Sequence, residues 1–258
     1  MNLQGKHILI TRPEPENQIS CLFFQTAGAK VTSLPMLSIT PLSEKEASIR
    51  AQIFELDQYN KVIFISKNAV RHGVEWIDYC WPQLPIGIQW VGIGEGTTTL
   101  LNELGSTLGI QAKHTPFIGK NGDLNISENL LSQPEFQTIQ GERILIIKGE
   151  GGRQLLASTL SERGAQVNEL ALYKRDKITY SLVKIRTAAT ADFICVTSTE
   201  SLENLTTILA NLAQDWFKKI LVVPSQRVAQ EAKKMGWEHI INAHGADDKS
   251  LMAAISDL

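Results

Sequence analysis

Repetition constrains this chain most: three signatures occur twice, in the same order and at nearly the same spacing. The first pair is HILITRPEPENQISCLFFQTAGAKV from His7 and RILIIKGEGGRQLLASTLSERGAQV from Arg143. Each reads as a β-branched strand, a polar turn, an amphipathic helix and a closing Gly-Ala-x-Val, with Ile8 and Ile144 standing 136 residues apart. The second pair is VIFISKNAV from Val62 and DFICVTSTESL from Asp192, in which Ser66 and Ser198 are 132 apart. In the third, WVGIGEGTTTLLNELG from Trp90 and ILVVPSQRVAQEAKKMG from Ile220, both Gly94 with Ser225 and Gly105 with Gly236 are 131 apart. One match is ordinary α/β vocabulary. Three in order imply one α/β unit used twice, at a period far too long for a solenoid. The expected place for function is a cleft between the copies.

Within each copy, β-branched strands (Ile8 to Ile10, Val62 to Ile65, Trp90 to Ile93, Ile144 to Ile147, Phe193 to Val196, Ile220 to Val223) alternate with helical patterns, which predicts parallel sheets covered on both faces. The helix after Arg12 carries Ile19, Leu22, Phe23 and Ala27 as its apolar stripe, and the helix after Gly152 carries Leu155, Leu156, Thr159 and Leu160. Gly28 and Gly164 are placed to end them in the left-handed conformation. Thr11-x-x-Glu14, Ser43-x-x-Glu46 and Thr197-x-x-Glu200 fit capping boxes. Two stretches read as connectors, Leu34 to Leu42 and Glu169 to Lys177. The duplication permits two partitions: a split near residue 140, or an exchange in which each first βα unit joins the other copy's remaining strands.

At 258 residues the chain suits two ordinary domains, and 43% hydrophobic with 20% charged residues reads as globular and soluble. A net charge of −2 without a Lys/Arg stripe leaves no footprint for nucleic acid. No basic leader or long apolar run points to secretion or a membrane, so a cytoplasmic protein is expected. Cys21, Cys80 and Cys195 read as packed, reduced thiols, and the five histidines show no metal-ligand spacing. A metal site is not expected.

Ligands of parallel α/β sheets meet the carboxyl ends of strands, where helix N-termini present free N–H groups. The turns in those places are Thr11-Arg12-Pro13, Ser66-Lys67-Asn68, Gly94-Glu95-Gly96-Thr97, Lys148 to Arg153, Thr197-Ser198-Thr199 and Ser225-Gln226-Arg227. Any one alone is a helix cap. Six on two similar units point to anion binding. GIGEGT has Thr97 where a dinucleotide loop needs its third glycine, and no P-loop, Ser/His/Asp set or carboxylate pair is present. Positioning is therefore expected to matter more than a strong side-chain base.

The series ILITRP, FISKNAV, VGIGEGT, ILIIKGEGGR with ERGAQV and ALYKR, VTSTESL, and LVVPSQR closing at Met235-Gly236-Trp237 resembles the uroporphyrinogen-III synthase family over essentially the whole chain. The resemblance implies two similar flavodoxin-like parallel-sheet α/β domains joined by two linker strands. It favours exchange: residues 1–36 plus 174–258 form one domain, 41–170 the other, and 37–40 and 171–173 the linkers. It further implies an enzyme without cofactor that closes linear hydroxymethylbilane into uroporphyrinogen III while inverting the last pyrrole ring and losing water; a monomer is expected.

In that chemistry the bilane loses hydroxide to leave an azafulvene cation. The substituted carbon of the terminal pyrrole attacks to give a spiro intermediate, from which the ring reattaches inverted. The bilane also closes unaided to the uninverted isomer, so the protein must hold one folded shape, and positioning supplies up to ~7–11 kcal/mol. By the likeness, Tyr173 of the Tyr-x-Arg segment donates a proton to the departing hydroxyl, against a competing reading as a packing aromatic. Thr97, of the Gly-x-x-Thr pattern, meets a carboxylate or the leaving oxygen. The substrate's eight carboxylates would be met by Thr11, Arg12, Ser66, Asn68, Gly94, Gly149, Gly152, Arg153, Thr197, Ser198, Ser225 and Arg227. Ser225 and Val228 stand where the family often has glycine and threonine, so Val228 takes no catalytic role. The rival readings are a non-catalytic binding protein for a tetrapyrrole or other polycarboxylate, and a glycosyl- or phosphoryl-transferring enzyme, for which nucleotide and metal ligands are missing.

Overall fold

The computed structural model describes residues 3–113, 126–152, 154–210 and 216–256. These fall into two compact units, one of residues 3–38 and 176–256 and the other of 39–113 and 126–175.

The discontinuous unit, unit 1, holds strands β1 (His7–Ile10), β2 (Lys30–Ser33), β8 (Phe193–Cys195), β9 (Ile220–Val223) and β10 (His239–Asn242) in the order β10-β9-β8-β1-β2. All four of its strand pairings are parallel. Its helices are α1 (Glu16–Thr26), α7 (Leu182–Ala188), α8 (Thr199–Leu209), α9 (Gln226–Lys234) and α10 (Asp248–Ser256). The continuous unit, unit 2, holds β3 (Leu37–Pro41), β4 (Lys61–Phe64), β5 (Gln89–Gly92), β6 (Arg143–Gly149) and β7 (Gln166–Lys177) in the order β3-β7-β6-β4-β5. Its helices are α2 (Glu46–Phe54), α3 (Lys67–Cys80), α4 (Glu95–Leu104), α5 (Ile126–Ser132) and α6 (Leu155–Glu162).

Four strands run in the same order in both units: β2-β1-β8-β9 in one, β7-β6-β4-β5 in the other. The fifth differs. Unit 1 adds β10 beside β9. In unit 2, among the described residues, the corresponding place beside β5 holds the parallel bridge Val91 to Lys113, and β3 is added at the opposite edge. β3 and β7 run antiparallel, as Ile178 N to Met36 O (3.2 Å) and Leu42 N to Leu172 O (3.0 Å) show. The two stretches expected as connectors are thus strands, and the chain passes between units inside them. Pro41 is tolerated at the end of an edge strand, where no ladder donor is required.

The strands next to the centre, β1 and β4, are buried at every position: Val, Ile, Leu and Phe covered on both faces, and His7 and Lys61 at their starts. α3 lays Ala69, Val70, Gly73, Val74 and Ile77 on the sheet at helical spacing, and α8 does the same with Leu202, Leu205 and Leu209. α6 buries Leu156 and Leu160 of its expected stripe, while Leu155 stays exposed.

α1 departs from the expected stripe. Its buried face is Asn17, Ser20 and Phe24, with Ile19 and Leu22 exposed at 55% and 65%. The backbone carbonyls leaving β1 decide this. Asn17 Nδ2 donates to Ile10 O (3.1 Å) and Arg12 O (2.9 Å), and a buried carbonyl without a donor costs more than two solvated aliphatic chains gain. Gly28 and Gly164 do take left-handed φ values of 93° and 87°. The three capping boxes do not form. Thr11 turns its hydroxyl to Cys195 O (2.7 Å), Ser43 opens a short 3-10 turn, and Ser198, one residue beyond Thr197, caps α8.

Candidate functional site

Because the four strands common to both units pair in parallel, their carboxyl ends gather on one edge of each sheet, and β1, β8, β9, β4, β5 and β6 each lead into a helix whose first amides have no partner within the helix. In unit 2 this edge carries Ser66, Gly94, Gly149 and Tyr173. Ser66 is the N-cap of α3, accepting from Ala69 N at 3.0 Å, and its Oγ lies 2.8 Å from the Tyr173 hydroxyl. Tyr173 is 3% exposed and belongs to the unit's apolar core, so it packs and presents a hydrogen bond at once.

Gly149 makes the phenol's position possible. It pairs with Tyr173 across the β6–β7 ladder at a register shift, and a Cβ there would fall 2.6 Å from Tyr173 Cε2 and 2.9 Å from Arg175 Nη1. Arg175 lies two residues along the strand, on the same face as Tyr173. It donates to Glu150 O (3.2 Å), and Glu150 N donates to Tyr173 O (2.7 Å). Lys45 pairs with the Glu150 carboxylate. Gly152 follows in an exposed turn with φ 88°, and Arg153 lies outside the described residues.

After β5, Gly94 adopts φ 77°, ψ 159°, a conformation for glycine alone, and α4 starts without a side-chain cap. Thr98 spends its hydroxyl on Gly92 O (2.8 Å) and Gly94 O (3.1 Å), whereas Thr97, 8% exposed, has no such bond among the described residues. Asn68 is half-buried in the first turn of α3.

In unit 1 the corresponding edge is closed in on itself. Thr11 is fully buried. The Arg12 guanidinium donates to Ser20 Oγ (2.9 Å) and Ala246 O and pairs with Asp248 (3.1 Å). Both side chains are thus engaged within unit 1, at positions where the sequence reading expects contact with a ligand. Ser198 accepts from Ser201 N (3.1 Å) and donates to Ser201 Oγ (2.9 Å), and Ser225 accepts from Val228 N (3.5 Å). Thr197 is half-buried, and exposed Arg227 donates to Thr199 Oγ1 (3.0 Å).

Two groups near Tyr173 escaped sequence reasoning. His72 of α3 places its ring 5.6 Å from the Tyr173 ring at 34°, and burial holds its pKa below the ordinary histidine value. Nothing in its spacing flags it. Arg175 was readable as the partner of Tyr173 from strand period two. Burial pushes the Cys195 thiol up to about 12 and raises Cys21 and Cys80, which suits packed thiols rather than nucleophiles. Among the described residues no cluster of three or more His, Cys, Asp and Glu side chains could hold a metal, and no helix is long and apolar enough to cross a membrane.

Relatives agree with this frame. A uroporphyrinogen-III synthase from Escherichia coli K12 is 29% identical over 256 residues, covering 96% of this chain and 99% of its own. One from Salmonella typhimurium LT2 is 30% identical over 266 residues with the same coverage. The crystal structure of a mutant uroporphyrinogen III synthase from Thermus thermophilus shares the fold with a TM-score of 0.61 at 14% identity, covering 98% of this chain and 100% of its own. A uroporphyrinogen-III synthetase from Helicobacter pylori 26695 gives 0.58 at 12%, covering 98% and 99%. The family model described as uroporphyrinogen-III synthase HemD matches residues 18–253, and the chain belongs to the uroporphyrinogen-III synthase family.

Proposed function

We propose that this enzyme of tetrapyrrole biosynthesis closes hydroxymethylbilane to uroporphyrinogen III with Tyr173 as its proton donor. The observation that carries the assignment is the chain Ala69 N–H to Ser66 Oγ to Tyr173 Oη. Ser66 Oγ accepts from the helix amide and keeps its own O–H, which it can donate to the phenol oxygen; in that arrangement the phenolic proton is left for the substrate. The positive end of α3 reinforces that direction.

The phenol passes its proton to the bilane hydroxyl, which leaves as water, and the azafulvene cation forms. The terminal pyrrole attacks through its substituted carbon, the spiro intermediate opens, and the inverted ring closes. The proton released as that ring regains aromaticity resets the phenol. No strong base is needed at any step, in keeping with a site built of hydroxyls, amides and glycines. Gly94, Thr97, Asn68, Gly149 and Gly152 in unit 2, and Thr197, Ser198, Ser225 and Arg227 in unit 1, are the proposed carboxylate contacts. The same reading has the protein act as a cytoplasmic monomer without a nucleic-acid partner, its two units being the exchanged domains.

The test is incubation with enzymatically generated hydroxymethylbilane, followed by isomer analysis of the oxidised porphyrin. Type III product is expected. Type I alone, at the uncatalysed rate, overturns the activity.

A further inference from the structure

Three contacts converge on the Tyr173 ring within unit 2. The Gly149 backbone meets its Cε2–Cζ edge from the neighbouring strand, His72 sets an imidazole beside it from α3, and Ser66 Oγ lies 2.8 Å from its hydroxyl oxygen. The half-buried His72 ring makes no hydrogen bond among the described residues, so this ring contact is what its side chain does there. A phenol on two rotatable bonds, held at its tip by one hydrogen bond, would swing if either side were open.

We propose that His72 is a positioning residue for Tyr173, the imidazole and the bare Gly149 backbone together fixing the phenol so that its hydroxyl stays on Ser66. The proposal rests on Tyr173 acting on the substrate, but the geometry it asserts can be read without turnover. Burial keeps the imidazole neutral, so it confines the ring without placing a cation beside the departing hydroxyl. Phenylalanine would serve as well as histidine; a side chain with no ring would not.

The experiment uses the full chain with fluorotyrosine at its four tyrosines, the Tyr173 signal being identified by its loss in Tyr173→Phe. The solvent isotope shift of that signal between H2O and D2O reports exposure. In the parent and in His72→Phe it should be near zero. In His72→Ala it should grow, with kcat about tenfold lower, KM and Tm little changed, and no further loss when combined with Tyr173→Phe. His72→Leu carries the same comparison should the alanine variant fold poorly. A Tyr173 signal as shielded in His72→Ala and His72→Leu as in the parent overturns the proposal. A signal that becomes exposed while both His72→Ala and Tyr173→Phe turn over at the parent rate supports the positioning and removes Tyr173 from the chemistry.

Discussion

Ser66 and Ser198 stand at matching places in the two units, each capping a helix through the amide three residues on. Their second bonds differ. At the position matching Ala69, unit 1 has Ser201, fully buried, which takes the Ser198 hydroxyl locally. Ala69 has no hydroxyl, so Ser66 is left for Tyr173. The same spacing sets His72 against Asn204, and each reaches toward the matching strand: Met36 lies just beyond β2, and Tyr173 lies within β7. Asn204 donates to the Met36 carbonyl, whereas His72 lies on the Tyr173 ring. One unit thus spends these polar groups on a neighbouring side chain and a backbone carbonyl, and the other aims them at a phenol. A duplicated frame does not duplicate chemistry; a few substitutions at the strand ends decide which copy can react.

The harshest way to break this contrast is Gly149→Ala. Its Cβ has no room beside Tyr173 and Arg175, so the ring must move. We expect activity to fall by ~10²-fold or more from misplacement, with ~1–3 kcal/mol lost to overpacking. Isomer assays and denaturant melts measure both; parent-like turnover would show that the phenol's placement is unimportant.

Tyr173→Phe comes next. It keeps the packed ring and removes the proton, so kcat should drop by ~10²-fold with modest change in stability, and any product made on the enzyme should remain type III. Damage confined to Tyr173→Ala, alongside a lower Tm, would reassign Tyr173 to packing.

Ser66→Ala and Ser198→Ala sharpen the comparison directly. Each removes an N-cap and should cost ~1 kcal/mol of stability. Ser66→Ala should also lower kcat, by roughly tenfold at most, as for one neutral hydrogen bond, whereas Ser198→Ala, at a proposed carboxylate contact, should raise KM with kcat little changed. Equal kcat losses in the two variants would erase the asymmetry.

The smallest effect concerns acid. Burial, with some help from Arg71 and against Glu75, lowers the His72 pKa, so the unfolded chain binds that proton more readily than the fold does. Stability from this group is full above the ordinary value of 6.5, declines as pH falls through it, and levels off once His72 is protonated in the fold. Thermal melts of the parent and His72→Phe should diverge on the acid side, the variant losing less. Parallel curves between neutral and mildly acidic pH would remove His72 titration from the account.

The repeat, the six core strands and the candidate turns were legible because β-branched runs and glycine-closed helices leave a mark in one dimension. The residues permitted two partitions, and the family likeness chose between them. The α1 face was misread because periodicity counts apolar side chains but not the carbonyl groups that Asn17 must satisfy. β3 and β7 were expected as linker strands, but their antiparallel pairing with each other was not legible, because nothing in either segment names its partner at that sequence distance. Of the site, Ser66 and Tyr173 could be named separately. Their bond spans 107 residues, and neither spacing nor composition announces a contact at that range.

The bare backbone at Gly149 also bears on how the two units diverged. At the matching offset of 136 residues, the first copy of the repeat has Pro13 in place of Gly149 and Leu37 in place of Tyr173. The glycine and the tyrosine that meet across β6 and β7 are thus present together in one copy and absent together from the other, so the copies differ at both members of the contact rather than at one.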